Sequence, residues 1–176
     1  LEPRHTSMRA VLDSSWNLLS PGEQQVFMNL AVFRGSFTRQ AAFTVAGASL
    51  ADLSHLIDKS LVRRTDAGRY DIHELVRQYA ERKLNAEMER SVATRTRHVK
   101  HYMELLQQAH ADLFGAHPQR AMRLIEHEIK NIRVAWAWAA MLDLFPEIEK
   151  GLESLWFFYD TRGWYREGEK MLDLAV

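Results

Sequence analysis

Ser60-Leu61-Val62-Arg63-Arg64-Thr65-Asp66-Ala67-Gly68-Arg69-Tyr70-Asp71-Ile72-His73-Glu74-Leu75-Val76-Arg77-Gln78-Tyr79-Ala80 is the stretch that decides the fold. Leu61 and Val62 open one strand, and Asp66-Ala67-Gly68 suits a three-residue hairpin loop with Gly68 in the left-handed region. Tyr70 and Ile72 alternate inward on the return strand. Leu75, Val76, Tyr79, Ala80 and Leu84 then share one helical face, so the apolar period changes from two to about 3.6 at His73. A short hairpin feeds directly into a helix, and His73 stands on the junction.

Short helices are expected before the hairpin. Met8, Val11, Leu12, Trp16 and Leu19 fall on one helical face. Ser20-Pro21-Gly22-Glu23 then supplies an N-cap, a proline at the first helical position and a capping-box glutamate. Val26, Phe27, Leu30, Ala31 and Phe33 make the buried face of that second helix, with Gly35 as its terminator. Thr38 can cap a third helix, Phe37 stapling against Ala42 and Val45 continuing the stripe to Gly47. Ser49 can cap a fourth, whose Leu50, Leu53, Leu56 and Ile57 face inward. Helices, a wing and a closing helix that ends near Leu84 describe a winged-helix domain.

Asn85 to Ala93 is polar and predicts a helix end plus connector, which divides the chain into 1–90 and 91–176. The second part has purely helical periodicity. Val99, Tyr102, Met103, Leu106, Ala109 and Leu113 form one stripe closed by Gly115, and Pro118 and Pro146 each start a further helix. The stripe after Pro118 runs Ala121, Ile125, Ile129, Ile132, Ala135, Trp136 and Ala139. The one after Pro146 runs Ile148, Leu152, Leu155, Trp156 and Tyr159. Gly163-Trp164-Tyr165-Arg166-Glu167-Gly168, with Met171, Leu172 and Ala175, resembles the turn and second helix of a tetratricopeptide repeat. A closed helical bundle is the other reading of this half. The predicted class is mainly α: a winged-helix domain with a small β-hairpin wing, followed by tetratricopeptide-like antiparallel helical hairpins.

The junction Ile72-His73-Glu74 resembles the Met-His-Asp motif at the end of the winged helix in STAND proteins, the signal-transduction ATPases with numerous domains. The resemblance extends back through Arg4 to Ala10, Trp16 to Gln24, Leu30 to Phe33 and Asp58 to Val62. It extends forward through Arg97-His98 and Glu128 to Ala135. The chain is most similar to the bacterial group of large ATP-binding transcriptional regulators, in which a winged helix lies between a nucleotide-binding domain and helical repeats. What this resemblance implies is a non-catalytic regulatory module. His73 would contact the phosphate of ADP held by an upstream nucleotide-binding domain of the same chain, and downstream helical repeats would receive an inducer or protein ligand. ATP or ADP would be the cofactor of the longer protein, with none held by these residues alone. Glu74 stands where the family has Asp. Without the resemblance, His73 is a junction histidine that serves folding.

Composition narrows the remaining choices. Lys plus Arg equals Asp plus Glu at 23 each, so no bulk charge draws the chain to nucleic acid or an anionic membrane. Cysteine is absent, which excludes disulfides and Cys-based zinc sites. The longest apolar stretch, Val134 to Leu144, is too short to span a bilayer, and no signal peptide is evident, so a cytoplasmic protein is expected. Leu1 at the start and an apolar-periodic segment at Val176 suggest an excised piece. No Gly-x-x-x-x-Gly-Lys-Ser/Thr loop is present, and Lys59-Ser60 follows Asp58, whose charge opposes phosphate. His98 and His101 have helical spacing but no third metal ligand at a defined offset, and no nucleophile motif surrounds Ser14, Ser15, His55 or Asp58.

The competing function is a winged-helix DNA-binding module with a helical oligomerisation segment, because such domains often place the helix before the wing in the major groove. Here that helix, Leu50 to Lys59, offers two aspartates and one lysine. Groove readers need cations, so direct DNA contact is the less favoured reading.

Overall fold

The computed structural model describes residues 3–173, with side chains from Arg9 onward. It comprises two compact units, Leu1–Thr94 and Arg95–Val176. The fold is mainly helical, with one two-stranded antiparallel sheet among the described residues.

In the first unit, α1 (Pro3–Asn17) buries Leu12 and half-buries Trp16, while Val11 is exposed rather than part of the inner face. Met8, expected on that face, lies outside the described side chains. In α2 (Pro21–Leu30) the Ser20 hydroxyl accepts from the Glu23 N–H and the Glu23 carboxylate accepts from the Ser20 N–H, the predicted capping box. This helix stops at Leu30, before Gly35, and Ala31 to Phe33 bury as a turn. Thr38 caps α3 (Arg39–Ala41), which widens into a π-helical segment, Ala42–Ala46, and ends on left-handed Gly47. Ser49 and Asp52 box the start of α4 (Leu50–Asp58). Its Leu53 and Leu56 are buried, but Leu50 is 55% exposed, because the first turn extends past the core.

The wing is shorter than its apolar pattern suggests. β1 (Arg63–Arg64) pairs antiparallel with β2 (Tyr70–Asp71) in the register Arg63 to Asp71 and Arg64 to Tyr70. Leu61 and Val62 do not open the strand. Their N–H groups donate to the Leu56 carbonyl at 2.9 and 3.2 Å, closing the end of α4 while their side chains fill the core. Gly68 takes the predicted left-handed conformation at φ +73°. Phe37 exchanges two backbone hydrogen bonds with Tyr70, which ties the base of the wing to the segment before α3.

Helix α5 (Glu74–Asn85) buries Tyr79, Ala80 and Leu84, and α6 (Met88–Leu113) begins only two residues after it. The expected connector is therefore mostly helix. Its polarity hid a buried side: Ser91 is buried and donates to Asn85 at 3.3 Å, and just beyond the segment the buried Thr94 donates to Asn29 at 3.1 Å.

In the second unit the predicted α6 stripe from Val99 to Leu113 is buried. α7 (Pro118–Met141) packs on α8 (Phe145–Arg162) and α9 (Tyr165–Asp173). Gly151 lets α8 approach α6, since a Cβ there would lie 2.8 Å from Leu106 Cδ1. Ser154 donates to the Leu106 carbonyl at 2.8 Å, and Trp136 Nε1 donates to the Met171 carbonyl at 2.6 Å. Leu152 and Trp156, expected inside, are 40% and 53% exposed. Ala175 lies outside the described residues.

Candidate functional site

His73 is the N-cap of α5. Its backbone is extended (φ −59°, ψ 138°), and its Nδ1 accepts from the Leu75 N–H at 3.3 Å. A neutral ring that accepts at Nδ1 carries its proton on Nε2. The imidazole is exposed, so the fold presents one fixed N–H donor at the wing-to-helix junction.

The residue after it is engaged elsewhere. Glu74 accepts from Arg77 at 2.6 and 2.8 Å and from Gln78 at 2.9 Å. The Arg77 hydrogen bonds hold its carboxyl at about 2, far below the usual carboxylate range. Arg77 is buried, and its other nitrogen reaches Glu81 at 2.9 Å, which also pairs with Arg34 at 2.7 Å. Burial would raise the Glu81 carboxyl, but the two guanidiniums outweigh it and the net shift is downward. Arg34 donates to the Ala31 and Phe33 carbonyls and Arg77, from α5, to that of Ala31, so the two arginines close the end of α2. The chain Glu74, Arg77, Glu81, Arg34 thus fixes the helix that carries His73. Apolar periodicity could not find it, because Arg77 sits in the inward stripe as a charge.

The face that would enter a DNA groove has different chemistry. Leu50, Ala51, Ser54, His55 and Asp58 are exposed on α4, which puts no lysine or arginine there, and Lys59 is half-buried beyond its end. His55 Nδ1 lies 3.0 Å from Glu23. On the wing, Arg63 is bonded to Asp71 at 2.6 Å, and Arg69 donates to the Ser36 hydroxyl and carbonyl at 2.9 Å each. Arg64 is exposed and has no ion pair among the described residues. Of the histidines weighed as metal ligands, His98 is buried against Tyr102 and Trp138, with ring centroids 4.6 and 5.1 Å away, and His101 is half-buried. Among the described residues no three His, Cys, Asp or Glu side chains are grouped to hold a metal, and no helix is long and apolar enough to cross a membrane.

The capped helices, the paired strands and the junction histidine coincide with a match to the family model of the winged helix-turn-helix domain, over residues 19–85. This region is a winged helix-turn-helix domain. Proteins of Mycobacterium tuberculosis and Mycobacterium bovis named as HTH-type transcriptional regulators are 35% identical over 178 residues, covering 94% of this chain. The chain spans 20% of the length of these curated relatives. A solved structure from Pyrococcus horikoshii, a signal transduction ATPase with numerous domains (STAND) protein with a tetratricopeptide repeat sensor, is 16% identical. Its TM-score is 0.44, with 91% of this chain and 26% of that chain covered. Within the winged helix-turn-helix domain, α3 and α4 form the helix-turn-helix, the β1 to β2 hairpin the wing, and His73 the exit.

Proposed function

We propose that this chain is a non-catalytic regulatory and interaction module of a cytoplasmic STAND-type ATPase transcriptional regulator. In this reading residues 1–90 dock on an upstream nucleotide-binding domain of the same polypeptide, and residues 91–176 begin the helical repeats that receive an inducer. His73 senses bound ADP. The observation that carries the proposal is the exposed His73 ring, oriented by the Leu75 N–H at its Nδ1 and standing at the head of a helix that the arginine-carboxylate chain ties down. An imidazole N–H reaching a phosphate oxygen makes a charge-assisted hydrogen bond, stronger than a neutral one. Because the bond exists only with ADP in place and the domains docked, it favours the resting state differentially, as a switch requires.

The test separates the cap from the sensor. His73→Ser keeps an N-cap acceptor but is too short to reach a phosphate. In the full-length protein it should leave the melting temperature near that of the wild type and speed ADP release about 10- to 100-fold, the worth of one hydrogen bond to a charged group. Basal activity should rise with it. An unchanged ADP off-rate would leave His73 a structural cap alone. The 176-residue chain, which has no phosphate loop, should show no saturable ADP binding in calorimetry.

The exposed α4 face, without lysine or arginine, supports protein docking over groove reading. Duplex binding should therefore be absent or nonspecific at physiological salt. A sequence-specific mobility shift abolished by Arg64→Ala would establish the DNA-binding alternative instead.

A further inference from the structure

An open groove of about 290 Å³ lies along α8 and α9. Its floor is Leu155, Tyr159 and Met171, all buried. Its walls are less covered: Trp156 is 53% exposed and Tyr165 67%. Two large aromatics standing open on neighbouring helices form an apolar surface of the kind that marks an interaction site. The charged rim is one-sided. Asp160, Glu169 and Asp173 line the groove and no lysine or arginine does, and none of the three has an ion pair among the described residues. An occupant that buries Trp156 and Tyr165 must pass these carboxylates, and a cationic edge would turn their repulsion into attraction.

Resting on the reading of residues 91–176 as repeats, we propose that this groove seats an α-helix encoded beyond Val176 in the same polypeptide. That helix is apolar on one side and edged by lysine or arginine that meet Asp160, Glu169 and Asp173. Antiparallel hairpins that stack in series cover one another's open faces, and α8 with α9 already covers α7 in this way. The relatives matched along this chain are about five times its length, which provides room for such hairpins.

The experiment uses the full-length protein with p-benzoylphenylalanine in place of Trp156, irradiated as a mixture of isotope-labelled and unlabelled copies. The expected cross-link joins position 156 to a Lys- or Arg-bearing helical peptide C-terminal to Val176 in the same copy. The triple variant D160K/E169K/D173K should reduce its yield about tenfold, three rim ion pairs being reversed. A cross-link to the other copy or to another protein would overturn the assignment, as would none at all or a yield indifferent to the charge reversal. If the sequence after Val176 contains no helical hairpin, the repeat reading fails with it. If it contains one and the cross-link goes elsewhere, the docking assignment alone fails. ADP release is measured on the same variant and should be unchanged, which keeps the sensing role of His73 independent.

Discussion

Helix starts are treated differently in the two units. In the winged domain Ser20, Thr38, Ser49 and His73 each accept a backbone N–H at the head of a helix. In the helical region α7 and α8 have no side-chain cap bond, and both carry proline in the first turn. Length explains the difference. The capped helices have 10, 3, 9 and 12 residues, whereas α7 and α8 have 24 and 18. Starting a helix is costly and each further residue recovers little, so short helices depend on their ends while long ones are carried by the faces they bury. Side-chain caps thus belong to the short helices of the first unit, whereas α7 and α8 start without them.

That contrast breaks most sharply at Trp136. Its ring is fully buried and its indole N–H is satisfied by the Met171 carbonyl, so Trp136→Ala should cost about 3–5 kcal/mol in chemical denaturation. Trp136→Phe should recover most of that and retain the deficit of one hydrogen bond. A loss below about 1 kcal/mol for the alanine variant would mean that the second unit is not packing-dominated.

The arginine chain of the first unit comes next. Arg77→Ala removes the cation shared by Glu74 and Glu81 and one of the two arginine donors to the Ala31 carbonyl, leaving Arg34 alone on Glu81, and should cost about 2–3 kcal/mol near neutral pH. The pH dependence sharpens it. Glu74 is held at about 2, well below the ordinary carboxylate range, so its contribution is full above that range and is lost as pH falls through about 2. The gap between wild type and Arg77→Ala should therefore narrow on acidification over that interval. A gap that stays constant would assign the cost to lost packing of the Arg77 stem.

The smallest effect compares caps directly. Ser49→Ala should destabilise by about 1 kcal/mol, and His117→Ala, at the uncapped start of α7, by a few tenths at most. Equal losses at the two sites would refute the length argument.

Legibility followed the same division. The cap residues Ser20, Thr38 and Ser49, the left-handed Gly47 and Gly68, and the proline starts are visible in sequence because each acts on neighbours three or four residues away. The α6 stripe was visible because a long helix buried along one side repeats its pattern. Residues that break a regular pattern were not. Leu61 and Val62 have strand-like composition, yet their N–H groups answer the carbonyl of Leu56. Arg77 interrupts an apolar stripe and is buried because Glu74, Glu81 and the end of α2 surround it. Of the candidate site, the position of His73 was legible. Its tautomer and exposure were not.

The sequence by itself determined where the capped and proline-led helices begin, where the wing turns and which residue stands at the exit of the winged helix-turn-helix domain, since local hydrogen bonds and backbone conformations depend on adjacent residues. Only the tertiary structure decided which apolar residues face water. Leu152 and Trp156 obey the helical period of a buried stripe and are nevertheless exposed, because burial requires a neighbouring surface that periodicity alone does not supply.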